Sequence, residues 1–101
     1  MNFLSPSEIL EGTAPANAQY IDVREPPELA QARWPLFENI PLSSFDKNFQ
    51  KLDKARPVVV LCQAGMRSLK AAQFLEGQGY AEVWNVDGGI NAASADGAPL
   101  E

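Results

Sequence analysis

The chain has no histidine and only one cysteine, Cys62, among its 101 residues. Without histidine, a Ser-His-Asp triad and a Cys-His dyad are both excluded. A zinc site built from Cys and His is excluded too, because only one such ligand exists. One cysteine cannot close an intramolecular disulfide, and dithiol redox chemistry lacks its resolving partner. A free thiol of this kind suits a reducing compartment, so a cytoplasmic location is expected. Basic residues are few: 8 Lys and Arg stand against 13 Asp and Glu, a formal charge of −5. With no cluster of cations, a sequence-independent grip on nucleic acid is not expected. No apolar run approaches membrane-spanning length. Met1-Asn2-Phe3-Leu4-Ser5 lacks the charged start and long apolar core of a signal peptide, so no membrane partner is expected. There is no internal repeat, low-complexity tract or linker.

What is present reads as one domain over residues 1–101, with 46% hydrophobic residues to build a modest core. Ser5-Pro6-Ser7-Glu8 predicts a short helix that ends at Gly12: Ser caps, Pro takes the first position, and Glu stands three after the cap. Gln19 to Val23 reads as a strand. Pro26 and Pro27 seed a brief helix over Glu28 to Ala32. Asn39 to Leu42 reads as an edge strand, since Pro41 cannot donate within a central ladder. Ser44 is expected to cap a helix running to about Leu52, with Phe45, Phe49 and Leu52 on one face. Val58 to Leu61 is a continuous, β-branched run suited to a strand covered on both faces. Leu69, Ala72 and Leu75 predict a helix over Ser68 to Gln78, ended by Gly77 and Gly79. Val83 to Val86 is a fourth strand. Asp87-Gly88-Gly89 then turns into a last helix from Ile90. Phe45, Phe49, Phe74 and Trp84 are assigned to the core.

Strands alternating with helices imply parallel βα units, and ligands bind such sheets beyond the carboxyl ends of the strands. Cys62 and Asp22 both follow strands, so both are expected at that rim, with Asp87 and Gly88 beside them. The thiol is expected to face outward there, into the amino end of the next helix. A lone thiol without histidine can act as a nucleophile only if its surroundings favour the thiolate. The small residues Ala64 and Gly65 let backbone N–H groups turn inward as an anion nest. The helix N-terminus adds roughly half a positive charge, and Arg67 is read as adding a full one. Asp22 is read as a turn or capping residue. Gly65, Gly88 and Gly89 are read as backbone necessities.

Four segments resemble the single-domain rhodanese family. Tyr20-Ile21-Asp22-Val23-Arg24-Glu25 is similar to its D-V-R-E stretch. Ala32 to Leu42 is similar to its H-I-P-G-A-x-N-I-P-L stretch. Cys62 to Ser68 resembles the active loop C-x-x-G-x-R-S, and Tyr80 to Ile90 resembles G-[YF]-x-x-V-x-x-[LV]-x-G-G-[IV]. The resemblance runs from Ser5 to Pro99. It implies an α/β fold with a five-stranded parallel sheet flanked by helices on both faces. It also implies sulfurtransferase chemistry. Cys62 would take a sulfane sulfur from a small donor, thiosulfate or a persulfide, and hold it as a persulfide. A thiol, cyanide or a sulfur-accepting protein would collect it. Gln63, Ala64, Gly65, Met66, Arg67 and Ser68 would cradle the transferred sulfur, and Asp22 and Arg24 would brace the loop. No metal or organic cofactor is implied, and nothing requires more than a monomer.

The chain also departs from the family pattern. Arg33 stands where His is usual, Leu36 and Phe37 replace Gly-Ala, and Ala93 replaces a common Trp. Arg33 and Trp34 are therefore assigned to the rim of the pocket, and the lost Trp is expected to loosen the C-terminal packing. With Gln63 and Met66 neutral, Arg67 is the loop's only cation, which favours an organic persulfide or polysulfide over thiosulfate. Phosphatases and arsenate reductases of the same architecture use a loop one residue longer, C-x5-R. Here Cys62 to Arg67 is C-x4-R, a better fit for a single sulfur. A non-catalytic binding or regulatory module is the remaining alternative.

Overall fold

The computed structural model describes residues 1–101. Its strands are β1 (Asn2–Leu4), β2 (Gln19–Asp22), β3 (Glu38–Asn39), β4 (Val58–Leu61) and β5 (Val83–Val86). Its helices are α1 (Pro6–Leu10), α2 (Pro26–Leu29), α3 (Phe45–Asn48), α4 (Met66–Gly77) and α5 (Gly89–Ala95). The strands form one sheet in the order β1-β5-β4-β2-β3, and every pairing is parallel. β4 lies at its centre, and all four of its side chains are fully enclosed. They alternate between two layers. Val58 and Val60 pack with Phe45, Phe49, Ala72 and Leu75 on the α3–α4 side. Val59 and Leu61 pack with Leu4, Val86, Ile90 and Ala93 on the α5 side. Burying each such aliphatic side chain contributes about 1.5–3 kcal/mol, which makes β4 a rigid base for the residue that follows it.

The helix starts follow their local chemistry. Ser5 and Glu8 form the expected capping box at α1. α2 occupies Pro26–Leu29, two residues earlier than the expected start, because the two prolines themselves form its first turn. α4 begins at Met66 rather than Ser68, since Gly65 takes a left-handed conformation (φ 103°) at its N-cap. Glycine adopts that conformation without strain.

Three expectations change. β1 was not among the strands read from the residues; it pairs Phe3 with Asn85 and Leu4 with Val86 along β5. The strand expected over Asn39 to Leu42 is shorter and earlier, at Glu38–Asn39. Pro41 has no N–H to extend a ladder. The single helix expected over Ser44 to Leu52 is three short pieces: 3-10 turns at Leu42–Ser44 and Phe49–Lys51 flank α3. Ser44 makes no side-chain cap. The last piece is instead held by the Tyr80 hydroxyl, which donates to the carbonyls of Phe49 and Leu52 at 3.0 and 2.9 Å. Phe45 and Phe49 are core as expected, while Phe74 and Trp84 are only half-buried against it.

The C-terminal packing is not loosened by the small residue at position 93. Ala93 is fully buried in the same layer as Trp34 and Phe37. The Trp34 and Phe37 rings lie 5.1 Å apart, and Phe37 meets Tyr20 edge-on at 5.3 Å. Large side chains from the segment after α2 occupy this layer beside the small one on α5.

Candidate active site

Cys62 is the first residue after β4, and the chain then turns through Gln63–Gly65 into α4. Its sulfur does not face outward as expected. The residue is 1% exposed, enclosed by its own loop. The Gly65 N–H donates to Sγ at 3.0 Å, and Ser68 Oγ lies 3.3 Å from it. No backbone N–H from Ala64 through Ser68 bonds to a backbone carbonyl. The first N–H groups of a helix lack internal partners, so the N–H groups of Ala64, Gly65 and Ser68 are available to the sulfur. Burial pushes the Cys62 thiol up. The Ser68 hydroxyl and the backbone N–H groups of Ser68, Gly65 and Ala64 outweigh it, leaving the thiol more acidic than an ordinary cysteine.

The loop is pinned on two sides. α5 docks its amino end beneath it: Ile90 N–H donates to the Cys62 carbonyl at 2.9 Å, and Asn91 N–H to the Gln63 carbonyl at 3.1 Å. This approach requires glycine at position 89. A Cβ there would stand 2.3 Å from the Cys62 carbonyl oxygen and 2.6 Å from that of Gln63. The Gln63 side chain bridges the loop to both neighbours, accepting from Arg24 Nη1 at 3.3 Å and donating to Asn91 Oδ1 at 2.7 Å.

Asp22 and Arg24 form the brace on the β2 side. Both are 1% exposed, and Arg24 Nη2 lies 2.9 Å from Asp22 Oδ2. Arg24 Nε reaches both carboxylate oxygens, and the Arg24 backbone N–H closes an Asx turn onto Oδ1 at 3.0 Å. Arg24 also ties down the Ala32 carbonyl at 2.9 Å. The turn role expected of Asp22 is what this geometry provides.

Other residues lie differently from expectation. Arg67 does not lend the loop a free positive charge, because its guanidinium is clamped by both oxygens of Glu28 at 2.7 Å each. That pair holds the Glu28 carboxyl down to about 2. Met66 projects into solvent, 69% exposed. Trp34 is core rather than pocket rim, at 3% exposure. The Arg33 side chain points to the C-terminal tail, 3.9 Å from the Glu101 carboxylate, and its backbone N–H donates to the Glu101 carbonyl. Three residues not foreseen join the site: Glu28, Asn91 and Asn85. Asn85 is buried on β5, with Oδ1 against the Ser68 hydroxyl and Nδ2 donating to the Gly65 carbonyl at 3.2 Å. The signal for it was a lone amide inside the apolar strand Val83–Val86, since a buried polar group needs partners.

Comparison with known proteins agrees with this arrangement. The rhodanese-like domain family matches residues 5–96. "Rhodanese-like/PpiC domain-containing protein 12, chloroplastic" of Arabidopsis thaliana is 42% identical over 76% of this chain, which spans only 27% of that protein's length. A "Sulfurtransferase" of Allochromatium vinosum is 36% identical, over 79% of this chain and 75% of its own. The crystal structure of a rhodanese-related protein from Thermoplasma volcanium superposes with a TM-score of 0.87 at 29% identity, covering 100% of this chain and 98% of that one. With a cysteine held by its own loop at the carboxyl ends of a five-stranded parallel sheet, and a family match spanning nearly the whole sequence, the chain belongs to the rhodanese-like domain family.

Proposed function

We propose that this chain is a sulfurtransferase in which Cys62 is the catalytic residue. The observation that carries the reading is the sulfur's own environment, with the Gly65 N–H at 3.0 Å, the Ser68 hydroxyl at 3.3 Å and the thiol made acidic by both. The kinship to a protein named sulfurtransferase supports it. The Cys62 thiolate attacks the outer sulfur of a donor R–S–S⁻. The new Sγ–S bond forms as the donor S–S bond breaks, and the electron pair leaves with R–S⁻. The negative charge of the resulting Cys62 persulfide sits among the N–H groups of residues 64–68, none of which is bonded to a backbone carbonyl. A thiol or cyanide then takes the outer sulfur and returns the thiolate. Neither step needs a general base or a cofactor, which accords with a chain lacking histidine.

The donor is an organic persulfide or polysulfide in preference to thiosulfate. Arg67 is already neutralised by Glu28, so the loop has little to attract a dianion. The enclosed sulfur also favours a slender terminal sulfur over a branched group. A terminal sulfur on a small thiol or a partner's cysteine fits both requirements, and a reducing compartment such as the cytoplasm supplies thiols. No helix is long and apolar enough to cross a membrane.

The test is intact mass after exposure of the reduced protein to thiosulfate and, separately, to glutathione persulfide, followed by cyanide. The expected result is gain of one sulfur, faster from the persulfide, lost to cyanide as thiocyanate and absent in Cys62→Ser. No gain from either donor would overturn the reading and send the search to phosphate esters or a binding role.

A further inference from the structure

The Ser68 hydroxyl has one proton and three acceptors around it. Its oxygen lies 3.3 Å from Cys62 Sγ, 3.1 Å from the Gly65 carbonyl and in close contact with Asn85 Oδ1. Gly65 does not need this proton, because its carbonyl already accepts from Leu69 N–H at 3.3 Å and Asn85 Nδ2 at 3.2 Å. The second of these bonds also orients the amide: with Nδ2 on a carbonyl, Oδ1 faces Ser68. Oδ1 has no other partner, and Ser68 and Asn85 are both buried. The proton is therefore contested between Asn85 and the sulfur.

We propose that Asn85 is a positioning residue that competes with the Cys62 sulfur for the Ser68 proton, and so favours the persulfide over the bare thiolate. This rests on the sulfurtransferase reading. As a thiol, Cys62 donates to Ser68, which donates to Asn85. On ionisation the hydroxyl rotates to the thiolate, and Asn85 Oδ1 is left a buried, unpaired acceptor. When the persulfide forms, the charge moves to the outer sulfur and Sγ becomes neutral. The hydroxyl then rotates back to Asn85. Ionisation releases the thiol proton to solvent; between thiolate and persulfide only the hydroxyl rotor moves, and no proton is gained or lost.

The charged groups around the sulfur are few and are untouched by changes at Asn85. Arg67 on α4 is paired to Glu28 on α2, with Glu25 beside them. The Asp22–Arg24 pair reaches the loop through Gln63. α5 has no ionisable side chain, Asp87 before it is exposed, and Lys70 lies a turn further along α4.

The test is the pH dependence of Cys62 alkylation by iodoacetamide in wild type, Asn85→Leu, Ser68→Ala and the double variant. Asn85→Leu is expected to raise the thiolate fraction below the midpoint about three- to tenfold. In the Ser68→Ala background the same change is expected to have no effect. An equal shift in both backgrounds, or a shift of the midpoint upward, overturns the proposal. If Asn85→Leu does not fold, the wild-type Asn85 side-chain amide resonances decide. They are expected to titrate with Cys62, to lose that titration in Ser68→Ala, and to return to their thiol-state positions on loading with glutathione persulfide. Resonances that ignore Cys62 ionisation overturn it equally. Failure to form any persulfide would instead sink the sulfurtransferase reading, since the alkylation cycle needs no sulfur donor.

Discussion

Arg67 donates to both carboxylate oxygens of Glu28, Nη1 to Oε2 and Nη2 to Oε1, each at 2.7 Å. The two residues are 39 positions apart, and the pair ties the start of α4, just after the Cys62 loop, to α2. Bidentate geometry fixes the guanidinium in one place. Its consequence for chemistry is electrostatic: the loop's one cation is already spent on an internal partner.

Glu28→Gln should therefore improve thiosulfate as a donor while leaving an organic persulfide nearly unchanged. Both side chains are about one-third exposed, where charge interactions are worth about 0.5–1 kcal/mol. That corresponds to about a two- to fivefold rise in kcat/KM for thiosulfate, diminishing with added salt. An equal change for both donors would show that Glu28 acts on loop shape rather than charge. The pair also leaves a mark on stability. The Glu28 carboxyl is depressed to about 2, chiefly by the Arg67 hydrogen bonds. Its contribution is thus complete above the unfolded value, about 4.3, and is lost as pH falls toward 2. Urea melts between pH 5 and 2 should show this loss in wild type and not in Glu28→Gln.

The pH dependence of Cys62 has the opposite range. Its thiol is lowered by the Ser68 and loop N–H donors despite burial. The unfolded chain, with a thiol near about 8.5, binds more protons between the two values, so stability should rise with pH through that interval. It is lost again as pH falls through the folded value. Ser68→Ala removes one donor, so its alkylation midpoint should move up and the rise in stability should shrink. An unchanged midpoint would mean the backbone N–H groups alone hold the thiolate.

Gly89→Ala should damage the site without altering any side chain that contacts the sulfur. Gly89 has φ 58°, and a Cβ would stand 2.3 Å from the Cys62 carbonyl oxygen. Backbone cannot give way as a flexible side chain can, so α5 must withdraw from the loop. That breaks the Ile90 and Asn91 bonds to the Cys62 and Gln63 carbonyls. A loss of about 2 kcal/mol or more in urea melts is expected, together with a Cys62 alkylation midpoint moved toward that of an ordinary thiol. Full stability with a normal midpoint would show that the docking tolerates a methyl group.

Much of this site was legible because its signals are local. Val58–Leu61 announces a doubly covered strand by its unbroken aliphatic run, and Gly65 announces the turn into α4. Cys62 stands between them, so its place at the sheet edge follows from neighbours in sequence. The D-V-R and G-G segments likewise identified the brace and the α5 turn. What escaped was long-range. Glu28 meets Arg67 across 39 residues, and no periodicity encodes that meeting. β1 is three residues with only Leu4 buried, too short for alternation to show. The broken helix over residues 42–51 depends on a hydroxyl from Tyr80. Trp34, standing between Arg33 and Pro35, reads as pocket rim, yet it is buried in the layer that also holds Phe37 and Ala93.

That last relationship makes a sharp packing prediction. Ala93, Trp34 and Phe37 share one buried layer, in which Ala93 is fully enclosed. Interiors are close-packed, so added volume must displace something. Ala93→Trp alone should overpack the layer and cost about 1–3 kcal/mol. Phe37→Ala alone should leave a cavity and cost about 3–5 kcal/mol. Combined, they restore volume, and the double variant should be more stable than the sum of the two losses by at least about 1 kcal/mol. Urea denaturation of the four proteins measures the coupling. Strict additivity would mean that position 93 and the Phe37 ring do not compete for the same space, and that the small residue on α5 is accommodated by the backbone instead.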